Sequence, residues 1–592
     1  MNSRLEDLRH FLNSKGIYAY LLTNSDPHNS EYLDDHYKKI EWLTGFTGSN
    51  ATVVVTMDEA LLWTDGRYFV QAEKELKDSG FELMKMGEKG VLSVSDHLKK
   101  LLEEGRIFAF DRDSITASFI GKIKKAEPDV IFYDGEDPLD QIWNERPERT
   151  AAPIFVLDNE YSGREYYDKL IELQDKMNDW ECTQFFENKL DNIMWLLNLR
   201  GNDIRCNPVA FSFLFVGGGN TFLFLQNKAV SEDIRLYLVS NRVALCDYEE
   251  IEDFLKDYPY EGPTMLSEDS MPYRYWQCIK DGSKIKSVPN VIDLMKSVKN
   301  NIEIENMKKS FLYDSLAMTR YLRYLKTSDL TGETEYTIGK KCDEYRAGIP
   351  GFLGLSFDTI CAYEGNAAMM HYEATENDCS SVYNKGLLLT DCGGQYYGGT
   401  TDVTRTVALG EITDEERISF TYVLKGMLRL MNAHFLKGCT GRNLDILARS
   451  PLWEHGMDYK CGTGHGVGYC LSVHEGPQNI RWRYNPNMPE TVLESGMTVT
   501  DEPGVYVKDK YGIRTENTLL VTDDIQTEDG EFLRFEPLTF VPIDLDCVDV
   551  NLLDKSEIRM LNEYHKAVCD KLLPLMDSDE AEWLLEATGE VK

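Results

Sequence analysis

The stretch from residue 387 to 402 constrains this chain most, because it places two aspartates on either side of a glycine-rich turn. Its sequence is LLLTDCGGQYYGGTTD, with Asp391 after an apolar run and Asp402 before a β-branched one. We expect a strand, a tight turn and a second strand, since the glycines at 393, 394, 398 and 399 enter positive φ at no steric cost. Two carboxylates on adjacent strands suit a divalent cation. Alternatively, both aspartates only accept hydrogen bonds from the turn backbone.

Three later segments supply further candidate ligands. His465 lies in CGTGHGVG, Glu502 ends a predicted strand before the proline of VTDEPG, and Glu516 follows Arg514 in GIRTEN. We expect 512–517 to be one strand, with Arg514 and Glu516 on the same face because side chains alternate. Four carboxylates would repel one another, so their convergence with His465 would imply a dinuclear site for Mn²⁺, Co²⁺ or Zn²⁺. The residues alone leave that convergence open.

The order of these residues and their surroundings resemble the pita-bread metallopeptidases, and among them the long, three-domain aminopeptidase P (Xaa-Pro aminopeptidase) family. The site motifs are DCGGQYYGGTTDVTRT, GTGHGVG, TDEPGVY and GIRTEN. The segments WLTGFTGSNA, LWTDGRYFVQAE, FEPLTFVPIDLD and EIRMLNEYHKAV extend the resemblance to both ends of the chain. It implies two divalent cations, Mn²⁺ first with Co²⁺ or Zn²⁺ as alternatives, bound by Asp391, Asp402, His465, Glu502 and Glu516.

The domain organisation follows from length and resemblance together. A chain of 592 residues is too long for one core and predicts three domains or so. The resemblance implies an α/β (α+β) class, with creatinase-like α/β domains at 1–150 and 151–300. A pita-bread catalytic domain with a C-terminal extension then occupies 301–592. It opens with a predicted long helix, because apolar residues recur at helical spacing from Ile304 to Leu325.

Within the two α/β domains the apolar pattern predicts individual elements. Leu5, Leu8 and Leu12 have helical spacing, and a further helix is expected at 92–103. In the second domain we expect helices at 166–177 and 249–256 and strands at 193–197, 211–216, 221–225 and 235–239.

The resemblance also implies substrate-contacting side chains. His371 would hydrogen-bond the substrate beside the metals, and His474 would face the scissile bond, although either histidine alone would be ordinary. Arg514 would bind substrate or hold a metal-ligating carboxylate in place, the alternative being a plain strand salt bridge. Arg67, in an Asp-Gly-Arg turn, is either solvated or, as in the family, reaches a peptide bound in a partner subunit.

Cys461 departs from the family pattern. The family motif at 461–465 begins with a histidine that helps to orient the substrate or assists proton movement, whereas this chain has CGTGH. A thiol is a poorer hydrogen-bond donor with an ordinary pKa of about 8.5. Slower turnover, a shifted pH optimum, altered substrate choice and replacement by another group all stay open.

The expected activity is release of the N-terminal residue from peptides with proline at the second position. Two-metal chemistry predicts attack by a hydroxide that bridges the cations, with Glu502 as general base and His474 stabilising the oxyanion. One alternative is a prolidase, which cuts Xaa-Pro dipeptides and generally lacks so large a middle domain. Another is a non-catalytic pita-bread module that binds peptides.

Composition limits the partners. The 63 basic and 100 acidic residues give a net charge of −37, which argues against nucleic acid as a partner. The sequence has no 18-residue apolar run for a membrane span and no apolar signal-peptide core near its start, so a cytoplasmic location is expected. The 13 cysteines form no CxxC pair and suit reduced thiols. The resemblance implies a homodimer.

Overall fold

The computed structural model of the protein describes residues 3–102, 106–484 and 490–592. The chain forms two compact units. The first comprises the residues up to Asp158 together with Arg164–Ile292, and the second comprises Asn159–Gly163 and Asp293–Lys592. In the described ranges, no helix is both long enough and apolar enough to cross a membrane.

The first unit begins with a mixed six-stranded sheet. Its strands are β1 (Ile17–Thr23), β2 (Thr52–Thr56), β3 (Ala60–Thr64), β4 (Glu82–Lys85), β5 (Ile107–Phe110) and β6 (Ile131–Phe132), in the order β4-β3-β2-β1-β5-β6. Its helices are α1 (Ser3–Ser14), α2 (Lys39–Thr44), α3 (Phe69–Glu75), α4 (Val94–Leu101) and α5 (Ala117–Ala126). Leu21 and Leu22 enter different apolar clusters, so both faces of the sheet are covered. The predicted helix at 92–103 corresponds to α4, and Glu103 lies outside the described residues.

A second six-stranded sheet follows in the same unit. Beside the small pair β7 (Phe155–Val156) and β9 (Leu199–Arg200), it contains β8 (Gln184–Glu187), β10 (Ser212–Gly217), β11 (Asn220–Leu225), β12 (Val243–Asp247), β13 (Thr264–Leu266) and β14 (Ile285–Ser287), in the order β12-β11-β10-β8-β13-β14. The helices of this region are α6 (Asn159–Ser162, in the second unit), α7 (Tyr166–Asp179), α8 (Leu190–Leu196), α9 (Glu232–Ser240), α10 (Ile251–Asp257) and α11 (Tyr273–Gly282).

Two predicted strands of this region are helices. Residues 193–197 lie mostly in α8, which is buried nearly all round, and a short apolar run does not distinguish a buried helix from a strand. Residues 235–239 lie in α9, where Ile234 and Leu238 are buried while Leu236 and Val239 are exposed. The Ser231 side chain caps this helix by accepting from the Ile234 amide, a start signal that the apolar pattern concealed.

The second unit surrounds short antiparallel strands with helices. After α12 (Val291–Ser297), which spans the boundary, the helices are α13 (Asn301–Thr327), α14 (Glu335–Ala347), α15 (Asp414–Met431), α16 (Gly441–Trp453), α17 (Lys555–Leu572) and α18 (Ser578–Ala587). The strands are β15 (Phe352–Leu355), β16 (Ile360–Tyr363), β17 (Leu387–Cys392), β18 (Gly394–Tyr396), β19 (Gly399–Thr400), β20 (Val403–Ala408), β21 (His434–Leu436), β22 (Gly464–Gly466), β23 (Glu475–Ile480), β24 (Thr498–Asp501), β25 (Gly504–Val507), β26 (Tyr511–Arg514), β27 (Asn517–Thr527) and β28 (Gly530–Pro537).

The core of the second unit lies behind these strands. Val423 of α15, Val499 of β24 and Leu519 of β27 belong to its largest apolar cluster. A second cluster joins β17 and β20 to the long helix α13, which confirms the helix predicted from Ile304 to Leu325. The strands whose ends carry the acidic residues are therefore fixed from behind by close packing.

Candidate metal centre

Asp391 and Asp402 lie on or beside two paired antiparallel strands, as the sequence suggested, but two short strands, β18 and β19, take the place of the expected tight turn. Strand β17 pairs antiparallel with β20, with Asp391 opposite Thr404, and Asp402 directly precedes β20. Both aspartates are buried. One oxygen of Asp391, Oδ2, accepts from Arg514 Nη2 at 2.5 Å, whereas its Oδ1 has no hydrogen-bond partner among the residues that the structure describes. A buried carboxylate oxygen without a donor is free to bind a cation.

The four glycines between Asp391 and Asp402 were expected to adopt positive φ, but most of them do not. Of the four, Gly399 alone has positive φ, at 144°. A Cβ on Gly393 would lie 2.0 Å from the Thr401 carbonyl oxygen, so this position requires glycine for close backbone approach.

His465 lies on β22, where Gly464 lets the backbone approach β24 closely. A Cβ at Gly464 would meet the Thr500 carbonyl oxygen at 1.9 Å. The His465 ring places Nδ1 2.8 Å from the Gly466 carbonyl oxygen, which can accept its proton. Nε2 then faces acidic groups, 3.4 Å from Asp402 Oδ2 and 3.5 Å from Glu502 Oε1. Such a backbone contact fixes the tautomer of a metal-binding histidine.

The two glutamates approach from the ends of other strands. Glu502 follows β24, and its amide donates to the Thr463 carbonyl at 2.8 Å. The strand predicted at 512–517 is broken, and Glu516 lies between β26 and β27. The break arises because the Glu516 amide donates to the Thr404 carbonyl. Thr404 Oγ1 also donates to Glu516 Oε2 at 2.7 Å.

The ligand atoms converge. One ligand atom from each of Asp402, His465 and Glu516 lies within 4.8 Å of the others. Asp391 pairs with Arg514, which donates to the Thr404 hydroxyl that bonds Glu516. Glu502 lies 3.5 Å from His465 Nε2. The structure thus brings all five predicted ligand positions into one neighbourhood.

The electrostatics of the cluster fit cations. Burial, and then the charges of Asp402 and Glu502, hold the pKa of Glu516 well above its usual range. Burial likewise raises the pKa of Glu502 and of Asp391 against the attraction of nearby positive groups. Burial alone would lower the pKa of His465, but Asp402 and Glu502 outweigh it and raise this pKa to about 9. Divalent cations would relieve this crowding of acids. The mainly oxygen ligand set and the unpartnered Asp391 Oδ1 fit a pair of them.

Arg514 organises one side of the cluster. Besides Asp391, it donates to Thr404 Oγ1 at 3.1 Å and to Tyr506 Oη at 2.7 Å. Its Nη2 also lies 3.4 Å from the carbonyl oxygen of Met370, the residue before His371. The contact to Asp391 is the one expected of a group that holds a metal-ligating carboxylate in place.

The other residues predicted to contact the substrate lie at different places relative to the acidic cluster. The His474 ring lies edge-on to His465, with centroids 4.4 Å apart. His371 is half-buried in the loop after β16. Cys461 is half-buried four positions before His465, and its carbonyl accepts from Arg449 at 2.7 Å. Arg67 belongs to the first unit, where Asp65 holds it through two hydrogen bonds of 2.9 and 3.0 Å, so the expected solvated arginine is ion-paired.

The site also contains groups that the sequence analysis did not single out. Thr404 bonds both Glu516 and Arg514, and its position two residues after Asp402 on a strand was an available signal. The Tyr506 hydroxyl accepts from Arg514, and burial raises its pKa, so it stays neutral.

Family comparisons cover nearly the whole chain. Residues 4–142 and 145–303 each match the Creatinase/Prolidase N-terminal domain, residues 305–523 match Metallopeptidase family M24, and residues 531–591 match the C-terminal region of peptidase M24. Fold and site together define an M24 metallopeptidase preceded by creatinase-type domains, which confirms the predicted fold class.

Comparison with individual proteins shows which branch of the metallopeptidase family this chain resembles. Xaa-Pro aminopeptidase 1 of Dictyostelium discoideum is 35% identical over 98% of this chain and 94% of its own length. Xaa-Pro aminopeptidase app-1 of Caenorhabditis elegans is 37% identical over 97% and 96%. A crystal structure of X-prolyl aminopeptidase from Caenorhabditis elegans, described as a cytosolic enzyme with a di-nuclear active site, matches with a TM-score of 0.93 at 35% identity, covering 100% of this chain and 99% of that one. This chain belongs to the Xaa-Pro aminopeptidase family, as the resemblance predicted.

Proposed function

We propose that this metallopeptidase releases the N-terminal residue from peptides with proline at the second position. The observation that carries the proposal is the 4.8 Å cluster of Asp402, His465 and Glu516, in a chain similar throughout to Xaa-Pro aminopeptidases. Asp391 and Glu502 complete the proposed ligand set for two divalent cations. We propose Mn²⁺ as the native metal, with Co²⁺ and Zn²⁺ as alternatives, since oxygen-rich sites accept several metals.

Glu502 is the proposed general base. When bound, the two cations would supply positive charge that acidifies the attacking water and polarises the scissile carbonyl. Glu502 would take the proton of that water and pass it to the departing proline nitrogen. Burial raises the pKa of Glu502, which makes its carboxylate a stronger base than an exposed one and supports this role.

The two histidines are assigned to the substrate. His474, beside the metal-ligand imidazole of His465, would donate to the oxyanion that forms at the scissile carbonyl. His371 would hydrogen-bond the bound peptide. The peptide's free α-amine, a cation at neutral pH, would face the acidic cluster, which limits cleavage to the first peptide bond.

Three further residues are proposed to shape substrate binding. Arg514 would fix Asp391 and border the substrate site, and Cys461 would occupy the place of the family histidine. Arg67 would contact a peptide held by the partner subunit of a homodimer. Its pairing with Asp65 supports this role, because a guanidinium held in place loses less entropy on binding.

We also propose a cytoplasmic location and domain boundaries near residues 150 and 300. The prolidase alternative is less supported, because the relatives that match along the whole chain are named Xaa-Pro aminopeptidases. A non-catalytic peptide-binding module would have no need of the acidic cluster.

Hydrolysis assays distinguish the three functions. Protein loaded with Mn²⁺ is incubated with an Arg-Pro-Pro tripeptide or with an Xaa-Pro dipeptide, and the released residue is quantified. We expect cleavage of the tripeptide and its loss in Asp402→Asn, with Glu415→Gln, an exposed change in the same unit, as the matched control. Cleavage of the dipeptide alone would select a prolidase, and cleavage of neither would select a binding module.

A further inference from the structure

The loop that carries His371 has little regular structure. Residues 364–380, between β16 and β17, contain a short 3₁₀ turn at Glu364–Ala368 and then no helix or strand. A histidine on such a loop needs other contacts to hold its ring in one orientation.

One buried carboxylate collects the hydrogen bonds of this loop. Glu335, the first residue of α14, has no solvent exposure. Its Oε1 accepts from the Tyr363 amide at 2.6 Å, and its Oε2 accepts from the Tyr372 hydroxyl at 2.8 Å and the Ser380 amide at 2.6 Å. Asn366 Nδ2 lies 3.0 Å from both oxygens. Glu335 therefore bonds both ends and the middle of the loop.

The bond to Tyr372 lies next to His371 in sequence. The Tyr372 ring packs in an apolar cluster with Leu389, which is on the strand that carries Asp391. On the other side of His371, the Met370 carbonyl accepts from Arg514. His371 is thus held between a residue fixed by Glu335 and a residue fixed by the metal-site arginine.

The strand leading to Arg514 supports the same loop. A Cβ on Gly512 would lie 1.8 Å from the Ala367 carbonyl oxygen, so the 3₁₀ turn rests directly on β26. Strand β26 and Glu335 therefore both hold this loop, the first through close backbone approach and the second through hydrogen bonds.

We propose that Glu335 is a positioning residue, which acts through Tyr372 and the loop 364–380 to fix His371 against the substrate. The inference rests on the proposed function, because it assumes that His371 contacts the peptide. All four groups named above donate their hydrogen bonds to the Glu335 side chain. A carboxylate, which only accepts, therefore suits this position, and an amide, which must also donate, does not. In Glu335→Gln, the new NH₂ would face donors, and the loop would shift.

A double-mutant cycle tests the proposal. We measure kcat/KM for an Xaa-Pro-Yaa tripeptide with the wild type, Glu335→Gln, His371→Ala and the double variant, all loaded with Mn²⁺. Glu335→Gln should lower kcat/KM by up to about 100-fold, the cost of a 1 Å misplacement in an active site. In the Glu335→Gln background, His371→Ala should lower kcat/KM by less than about a further twofold. Independent effects multiply to within about twofold, so a much smaller effect of His371→Ala there than in the wild type would show that the two residues act together.

Controls separate positioning from general damage. Glu344→Gln is the same substitution at an exposed site of α14, where the side chain is 67% exposed, and should leave kcat/KM unchanged. Metal content should stay at the wild-type value in Glu335→Gln. If Glu335→Gln does not fold, Tyr372→Phe keeps the packed ring, removes the bond to Glu335 and should show the same non-additivity with His371→Ala.

The outcomes are distinct. An inactive wild type would overturn the proposed function and this inference with it. An active wild type in which the losses of Glu335→Gln (or Tyr372→Phe) and His371→Ala multiply in full would overturn the positioning role alone.

Discussion

Glu475, the residue after His474, is predicted to stabilise the second unit as the common partner of two buried lysines. Lys296 Nζ lies 3.0 Å from Glu475 Oε2, and Lys299 Nζ contacts Oε1. The three side chains are 4%, 0% and 2% exposed for Lys296, Lys299 and Glu475. The cluster contains two positive charges and one negative charge, so the three residues are not equivalent.

The expected losses follow from that charge count. Glu475→Gln would remove the carboxylate that both buried ammonium groups contact, and removing one partner of a buried ion pair costs about 3–5 kcal/mol. Lys296→Met and Lys299→Met each leave one complete pair. We expect each of these to cost less than about 1.5 kcal/mol, the net value of an ordinary hydrogen bond. Glu475→Gln should therefore be the most destabilised of the three.

The loss should also depend on pH. Burial lowers the pKa of Lys299 against the opposing charge of Glu475, with Lys296 lowering it further and Glu303 raising it. Without Glu475 this pKa should fall further. A lysine whose pKa is lower in the folded state binds fewer protons when folded, so stability rises with pH. The deficit of Glu475→Gln should shrink from about pH 7 towards the ordinary lysine pKa of about 10.4.

Calorimetry and hydrogen exchange measure these effects. The unfolding temperature of each variant is recorded across pH, and amide exchange is followed for peptides covering 296–300 and 475–480. A loss of 3–5 kcal/mol would raise the open population of these segments by about 10²- to 5 × 10³-fold at roughly 1.4 kcal/mol per tenfold. Equal losses in the three variants, or a larger loss in Lys299→Met, would refute the charge-count argument.

Three further predictions concern the metal centre. Arg514→Lys cannot bond Asp391, Thr404 and Tyr506 at once as the guanidinium does, and metal affinity measured by calorimetry should fall by about 10- to 100-fold; an unchanged affinity would show that Asp391 needs no such partner. Cys461→His restores the family imidazole, and kcat/KM on Arg-Pro-Pro peptides across pH should rise or shift its optimum, whereas an unchanged profile means that the thiol does not limit turnover. Metal binding at neutral pH should release protons, because the pKa values of Glu516 and His465 are raised in the metal-free cluster. Calorimetry in buffers of different ionisation enthalpy counts these protons, and a heat that is independent of buffer would contradict the raised pKa values.

Much of the site followed from local pattern. The apolar run before Asp391 and the β-branched run after Asp402 predicted the pairing of β17 with β20, although not the two short strands that lie between them. The helix from Ile304 to Leu325 followed from helical spacing for the same local reason. Such signals lie within a few residues of the feature that they predict.

The features that the sequence did not predict depend mainly on contacts between residues far apart in the chain. The strand break at Glu516 arises because its amide bonds Thr404, more than a hundred positions earlier. The role of Glu335 depends on Ser380 and Tyr372, with which it shares no periodic pattern. Residues 193–197 were misassigned because burial on all sides removes the periodicity that separates helix from strand.

Anomalous diffraction from crystals loaded with Mn²⁺ tests the central claim most directly. We expect two anomalous peaks in one pocket, each within ligand distance of side chains from the proposed ligand set, Asp391, Asp402, His465, Glu502 and Glu516. A single peak there, peaks elsewhere in the chain, or none at all would contradict it.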